Sequence, residues 1–422
     1  MSAPRTRTVL VTGGGGTGRT TVAAATALAA ARRGHRTLLL SAEDPGLLRA
    51  LFDVTDGEDV GTVGAAGATA DADDGPREVA PGLRLARIDP AADFRARVVA
   101  LQERARSALD LLGAEPLDDD ELAEPPGADA LALLRALRRA HASEPGYDLL
   151  VVDMPPAERA VRTLALPEQT RRWLRRLLPP ERQAARALRP VLAQLAGVPM
   201  PARSLYESAG RLDRDLAAVQ ELIEAPETTV RLVLDPGPAA VRALRAVRAG
   251  LALHGLTVDA VIANRLLPDT SPDPWLADLA ARQRKALDDL GGGLPADAVP
   301  LYGLPHLGRH PEGLDDLGEL ADRIAEPPAR HAPAAAGEAW TVEDRLDTDG
   351  VLLWRLPLPG ATKETLTLVR RGNEVVVTTG PFRRVLPLPS ALRRCTVTGA
   401  RLADGELSVR FAPEPGLWPE RD

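Results

Sequence analysis

Apolar positions follow two different periods along the chain, and a Pro- and Ala-rich stretch at 326–347 separates them. Ahead of it, short runs of β-branched and aliphatic residues alternate with long Ala/Leu-rich stretches. Residues 7–12 (RTVLVT) predict a first strand, broken by the glycines that follow. Thr20–Arg33 (TTVAAATALAAARR) predicts a helix closed by Gly34, and 36–41 (RTLLLS) a second buried strand. That is the opening βαβ unit of a parallel sheet. Further strands are predicted at 83–90, 147–153 (YDLLVVD), 230–235 and 258–264, with a short last one at 297–300. Helices are expected over most of 91–141, with interruptions near Pro116 and at Pro125–Gly127, and over 168–226. Residues 56–80, rich in Gly, Ala and Asp, predict a flexible insertion.

Past the linker the period becomes two. LLWRLPLPG, TLTLVRRGNEVVVTT, RRVLPLP and CTVTGARLADGELSVRF alternate apolar with polar residues and are joined by the turn signals GN and DG. This predicts a small all-β module at 348–412 with a loose tail at 413–422. The fold class expected is α/β: a mainly parallel sheet with a helical subdomain, followed by an all-β sandwich.

Composition narrows the possibilities. A formal charge of −7 argues against a dedicated nucleic-acid binder. One cysteine, Cys395, rules out an internal disulfide and a Cys-based metal cluster within the chain. No apolar run approaches the roughly 18 residues that a membrane span needs, and the N-terminal run is too short for a signal-peptide core. A cytoplasmic protein is expected. Only two lysines occur, Lys285 and Lys363, and arginine supplies the other basic side chains.

The candidate chemistry lies in GGGGTGRT, Gly13–Thr20. It matches the phosphate-binding loop G-x-x-x-x-G-K-[ST] except at the lysine, where Arg19 stands. Glycines let backbone N–H groups wrap phosphates, the following helix offers its N-terminus, and Thr20 places a hydroxyl for Mg²⁺. Arginine keeps the charge but is longer and forked. Gly13, Gly15 and Gly18 also satisfy G-x-G-x-x-G, with Glu43 or Asp44 placed to bind a ribose, so an NAD(P)-binding oxidoreductase competes. No tyrosine has a lysine four residues on, which removes the short-chain dehydrogenase subclass.

Further motifs bear on that choice. TGGGGTGRTT (12–21) runs into VAAATA (22–27); SAEDP (41–45) follows the second strand; YDLLVVDMPPAERAVRTLALP spans 147–167; NRLLP (264–268) and AVPLYGLP (298–305) follow late strands. In this order they resemble the arsenite-pump/guided-entry (ArsA-type) ATPase family of P-loop NTPases, over about 1–325. LPLPGATKETLTLVRRGNEVVV (356–377) and ARLADGEL (400–407) resemble the small heat-shock (α-crystallin-like) domain found at the C-terminus of some bacterial members.

The resemblance implies ATP or ADP with Mg²⁺ as cofactors. Gly13, Gly14, Gly15, Gly16, Thr17, Gly18, Arg19, Thr20 and Thr21 would form the phosphate cradle, and Thr20 and Asp153 would serve Mg²⁺. Asp44 would orient the attacking water and Asn264 would contact adenine. The departures matter as much. The family's two loop lysines fall at Gly14 and Arg19, and its second switch has Met154, Glu158 and Arg159 in place of Thr, Gly and His. Hydrolysis is therefore expected to be weak or lost. The partner expected is a second copy or an intact paralogue in a dimer, with an unknown protein client. A non-enzymatic, nucleotide-regulated scaffold is the alternative. The Arg-rich helices at 168–226 read as a solvated face rather than a client groove.

Overall fold

A computed structural model describes residues 6–54, 61, 75–143, 146–178, 202–292, 299–324 and 340–416. Eight strands form one sheet in the order β3-β4-β2-β5-β1-β6-β7-β8. They are β1 (Arg7–Gly13), β2 (Thr37–Ser41), β3 (Arg77–Ala80), β4 (Leu83–Arg87), β5 (Leu149–Asp153), β6 (Thr228–Leu234), β7 (Val258–Leu266) and β8 (Leu301–Pro305). All pairings are parallel except β3 on β4. The central strands are buried along their whole length, which is why they read as unbroken apolar runs.

The winding direction decides where a ligand can sit. From β1 the chain builds outward to β2 and β4, returns through β5, then crosses to build β6, β7 and β8 on the other side. Direction therefore changes at β1 and β5, and the C-terminal ends of such strands open a crevice.

Helices cover both faces. On one lie α1 (Arg19–Arg32), α2 (Pro45–Phe52) and α9 (Gly313–Ala321). The alanines of α1 are nearly all buried, so it sits close to the strands and is bland around its circumference. The other face carries α4 (Ala128–His141), α5 (Ala157–Leu177), α6 (Ala202–Glu224) and α7 (Pro238–Leu253). Outside these, α3 (Pro90–Leu112) packs on α4 and α8 (Pro274–Gly291) on α7 and β7. Within the sheet, Arg231 on β6 is buried and donates to Thr26 and Asp259 at 3.1 Å each. Burial of a charge is tolerated there because the carboxylate lies on the next strand.

The C-terminal module is a two-sheet sandwich. One sheet runs β14-β15-β10-β9, the other β11-β12-β13. Its strands are β9 (Thr341–Arg345), β10 (Val351–Pro357), β11 (Leu366–Arg371), β12 (Glu374–Thr379), β13 (Phe382–Pro387), β14 (Cys395–Ala403) and β15 (Glu406–Pro413); a single turn, α10 (Leu346–Asp349), follows β9. Alternating inward residues such as Trp354, Leu356, Val377 and Phe411 fill the space between the sheets. The module does not hang free. Its apolar residues join those of α4–α7 in one continuous cluster that runs from Leu10 to Phe411. Phe382 lies so close to α7 that a Cβ on Gly250 would stand 2.4 Å from its ring. Arg384 donates to the Leu253 carbonyl at 2.9 Å and to Glu168 at 3.0 Å, and Arg172 grips Glu374 with two nitrogens.

Several boundaries differ from those read in the sequence. Residues 77–80, inside the expected flexible insertion, are the edge strand β3; most of the rest of 56–80 lies outside the described residues. Residues 341–345, inside the expected linker, are β9. The last parallel strand is Leu301–Pro305, not 297–300. The helix after β5 begins at Ala157, eleven residues ahead of the helical region expected at 168–226, of which 179–201 lie outside the described residues.

Candidate functional site

The crevice at β1 and β5 holds the glycine loop. Gly13 ends β1 with its α-carbon pressed on the next strand: an added Cβ would stand 2.0 Å from the Val233 carbonyl oxygen. Only a glycine fits there without moving backbone. Gly16 and Gly18 take left-handed backbone, φ +75° and +85°, which turns the loop over before α1 starts. Thr17 closes it with a hydroxyl donated to Gly14 O at 2.9 Å. The side above Gly15 and Gly16 is open: added Cβ atoms would meet nothing within 4 Å.

Asn264, at the end of β7, supports the loop from beneath. Its amide donates to Thr17 O at 2.8 Å, and its nitrogen lies 2.3 Å from where a Gly18 Cβ would be. The neighbouring Arg265, held at φ +59°, donates to Gly16 O at 2.8 Å. Asn264 therefore spends its amide on loop backbone. Beside the loop, Gly13, Gly14, Thr17, the end of β6 and the alanines of α7 wall a mainly apolar cleft of about 240 Å³.

Asp153, the last residue of β5, is 4% exposed. Ser41 donates to its Oδ2 at 2.9 Å, and Thr20 also hydrogen-bonds to it. Its Oδ1 is buried with no partner. Burial pushes the carboxyl up to about 6 against the opposing pull of the Thr20 and Ser41 hydroxyls and Arg19, with Glu43 adding to the rise. A buried oxygen without a donor, beside a threonine hydroxyl, is an arrangement a hard cation fits.

Arg19 opens α1 but does not reach over the loop. Its guanidinium donates to the carbonyl of Met154, the residue after Asp153, and Nη2 stands 3.7 Å from Glu43 Oε1. The arginine side chain is 11% exposed. Asp44, next to Glu43, is exposed and caps α2 by accepting from Gly46 N at 2.8 Å and Leu47 N at 3.2 Å. Glu158 and Arg159 face solvent and pair with Arg162 and Asp129.

The fold thus brings together Gly13–Thr20, Asp153 and Asn264. Two contributors were not singled out for these roles in the sequence: Ser41, which steadies Asp153, and Glu43 as the partner of Arg19. The one signal was their place in SAEDP, directly after β2.

With this geometry in view, comparison with known proteins is informative. The anion-transporting ATPase (ArsA) family profile matches residues 6–326, and the profile of the HSP20-like domain found in ArsA proteins matches 349–411. The chain belongs to the ArsA-type anion-transporting ATPase family, and carries that family's C-terminal HSP20-like domain. An uncharacterised protein of Streptomyces coelicolor is 56% identical over 98% of this chain and 99% of its own length. A Mycobacterium tuberculosis protein is 32% identical over 69% of this chain and 68% of its own. A Chlorobaculum tepidum protein named as an arsenical pump-driving ATPase is 24% identical over 90% of this chain and 89% of its own. Among the described residues, no helix is long and apolar enough to cross a membrane.

Proposed function

We propose that the protein binds an adenine nucleotide with Mg²⁺ at the Gly13–Thr20 loop and hydrolyses it slowly or not at all on its own. The supporting observation is the destination of Arg19: its guanidinium is bound to the Met154 carbonyl and paired with Glu43, not poised over the loop. Backbone N–H groups of the loop and the N-terminus of α1 cradle the α- and β-phosphates. Thr20 and Asp153 hold Mg²⁺, which when bound neutralises charge on the phosphate oxygens. Asn264 keeps the loop in shape through the Thr17 carbonyl. Asp44, whose Oδ1 caps α2, would use its second oxygen to orient the attacking water.

Phosphoryl transfer relies on fixed charge around the transferred group, and a single lost stabilising donor costs ~10²–10³ in rate. Gly14 offers no side chain and Arg19 is held elsewhere. A dimer partner, either a second copy or a paralogue with both lysines, supplies the missing charge in this reading. The relatives' description as pump drivers does not extend to a metalloid cargo here, because Cys395 is the sole cysteine and is buried in the module.

The test is titration calorimetry with Mg·ATP, Mg·ADP and NADH beside a turnover assay. Adenine nucleotides bind in a Mg²⁺-dependent way, and turnover falls at least ~100-fold below that of a two-lysine relative. Turnover equal to that relative by the purified protein alone would overturn the hydrolysis reading. Binding of NADH without ATP would overturn the nucleotide assignment. A second reading, a nucleotide-regulated scaffold, is favoured by one observation: α7, which walls the cleft beside Gly13, also carries the module on Gly250 and Leu253.

A further inference from the structure

We infer that the site selects nucleoside diphosphates over triphosphates, and that Glu43 is the residue that sets this preference. The inference rests on the nucleotide-binding reading above. It concerns which nucleotide state the loop holds.

The two halves of the crevice are built differently. On the loop side nothing fills the space. Gly15 and Gly16 are open to solvent, the loop contributes backbone donors, and α1 points its N-terminus inward. A diphosphate finds donors there and displaces no side chain. On the side where β5 ends, beside Asp153, the space is occupied by a charged pair. Arg19 extends across it to the Met154 carbonyl, and Glu43 stands against the guanidinium at 3.7 Å. Glu43 also acts on Asp153 as a like charge. The Arg19 guanidinium therefore already has an acidic partner before any phosphate arrives.

A third phosphate meets two penalties at that point. It places further negative charge beside Glu43. It can recruit Arg19 only by taking the guanidinium from Met154 O, a carbonyl in a residue that is 1% exposed. A donor-less buried carbonyl is costly, so the recruitment is opposed from both ends. The loop after β2 holds Glu43 in this place. Ser41 accepts from the Glu43 N–H at 3.2 Å while donating to Asp153 at 2.9 Å, so the hydroxyl ties Glu43 backbone to the buried carboxylate. Glu43 lies in the SAEDP stretch that follows β2.

The test is titration calorimetry on the full chain with Mg·ADP and with a non-hydrolysable Mg·ATP analogue. Wild-type protein is expected to bind the diphosphate about tenfold or more tightly, and Glu43→Gln to narrow that ratio to about threefold by tightening the triphosphate. The Glu43 side chain is 39% exposed, so the variant is expected to melt with the wild type, and a thermal scan checks this. Equal or tighter wild-type binding of the triphosphate analogue overturns the inference. So does a Glu43→Gln ratio equal to the wild type's. Failure of both nucleotides to bind overturns the nucleotide reading itself, and this inference with it.

Discussion

The rim of the glycine loop and the seat of the β-module are both built by glycines that admit a close neighbour, yet they end in opposite states. At the seat, Gly250 lets the Phe382 ring lie flat on α7, and Gly360, at φ +88°, brings its backbone against the Arg245 carbonyl. The space is filled and the charges around it are matched, Arg172 with Glu374 and Arg384 with Glu168. At the rim, Gly13 and Gly18 press against Val233 and Asn264 on one side, while Gly15 and Gly16 leave the other side bare. The charge beside it is unmatched: Asp153 keeps an orphan buried oxygen. A buried carboxylate oxygen left without a donor stores a cost at the place where a ligand can remove it. Close packing is thus used once to shut an interface and once to hold a site open.

This contrast predicts that changes at the seat alter stability and changes at the rim alter binding. The largest effect is expected from Phe382→Ala, which empties a buried aromatic position: about 3–5 kcal/mol of stability is lost, read by denaturant unfolding. Unchanged unfolding would mean that the module is only loosely attached.

Asp153→Asn comes next and carries the opposite sign. The folded-state pKa of about 6 lies above the ordinary aspartate value of about 3.8, so the folded protein holds more protons than the unfolded one between those values. Stability of the ligand-free protein therefore falls as pH rises from about 4 to about 6 and stays low above that window. Removing the carboxylate relieves that cost. Thermal unfolding at pH 7.5 is expected to show a gain on the order of 1–3 kcal/mol. Mg²⁺-dependent nucleotide affinity is lost at the same time. Wild-type Mg·nucleotide affinity also weakens as pH is lowered through 6, because the metal competes with the proton.

Gly18→Ala is smaller in both stability and binding. A left-handed non-glycine costs roughly 1–2 kcal/mol, and the new methyl pushes on Asn264. Calorimetry is expected to show nucleotide affinity down by tenfold or more, about 1.4 kcal/mol. Smallest of all is Arg172→Ala. The ion pair with Glu374 is part-exposed on both sides, so its removal changes stability by less than about 1 kcal/mol, and nucleotide affinity does not move.

How much of this was visible in the sequence follows from burial. The central strands were legible because both faces are covered, which leaves runs such as VLVT and LLVV with no polar break. The module was legible because one covered face imposes a period of two. The edge strands were not. TVEDR of β9 and REVA of β3 lie at sheet edges, largely outside the core, so nothing forces apolar residues into them. Arg231 was read only as part of a strand, since its partner Asp259 becomes its neighbour through sheet order and not through spacing. At the site, the loop itself and Asp153 could be named in advance. The course of Arg19 could not, because its acceptor is a backbone carbonyl 135 residues away and a carbonyl leaves no mark on side-chain identity.

The single cluster that runs from Leu10 to Phe411 has a consequence for how the chain is made. Synthesis proceeds from the N-terminus, and domains usually fold as they emerge. Here the sheet and its first helices leave the ribosome with one flank of α5 and α7 still bare. The residues that cover it, Glu374, Phe382 and Arg384 among them, are translated later. A nascent chain halted before the module would therefore leave that apolar flank exposed to water.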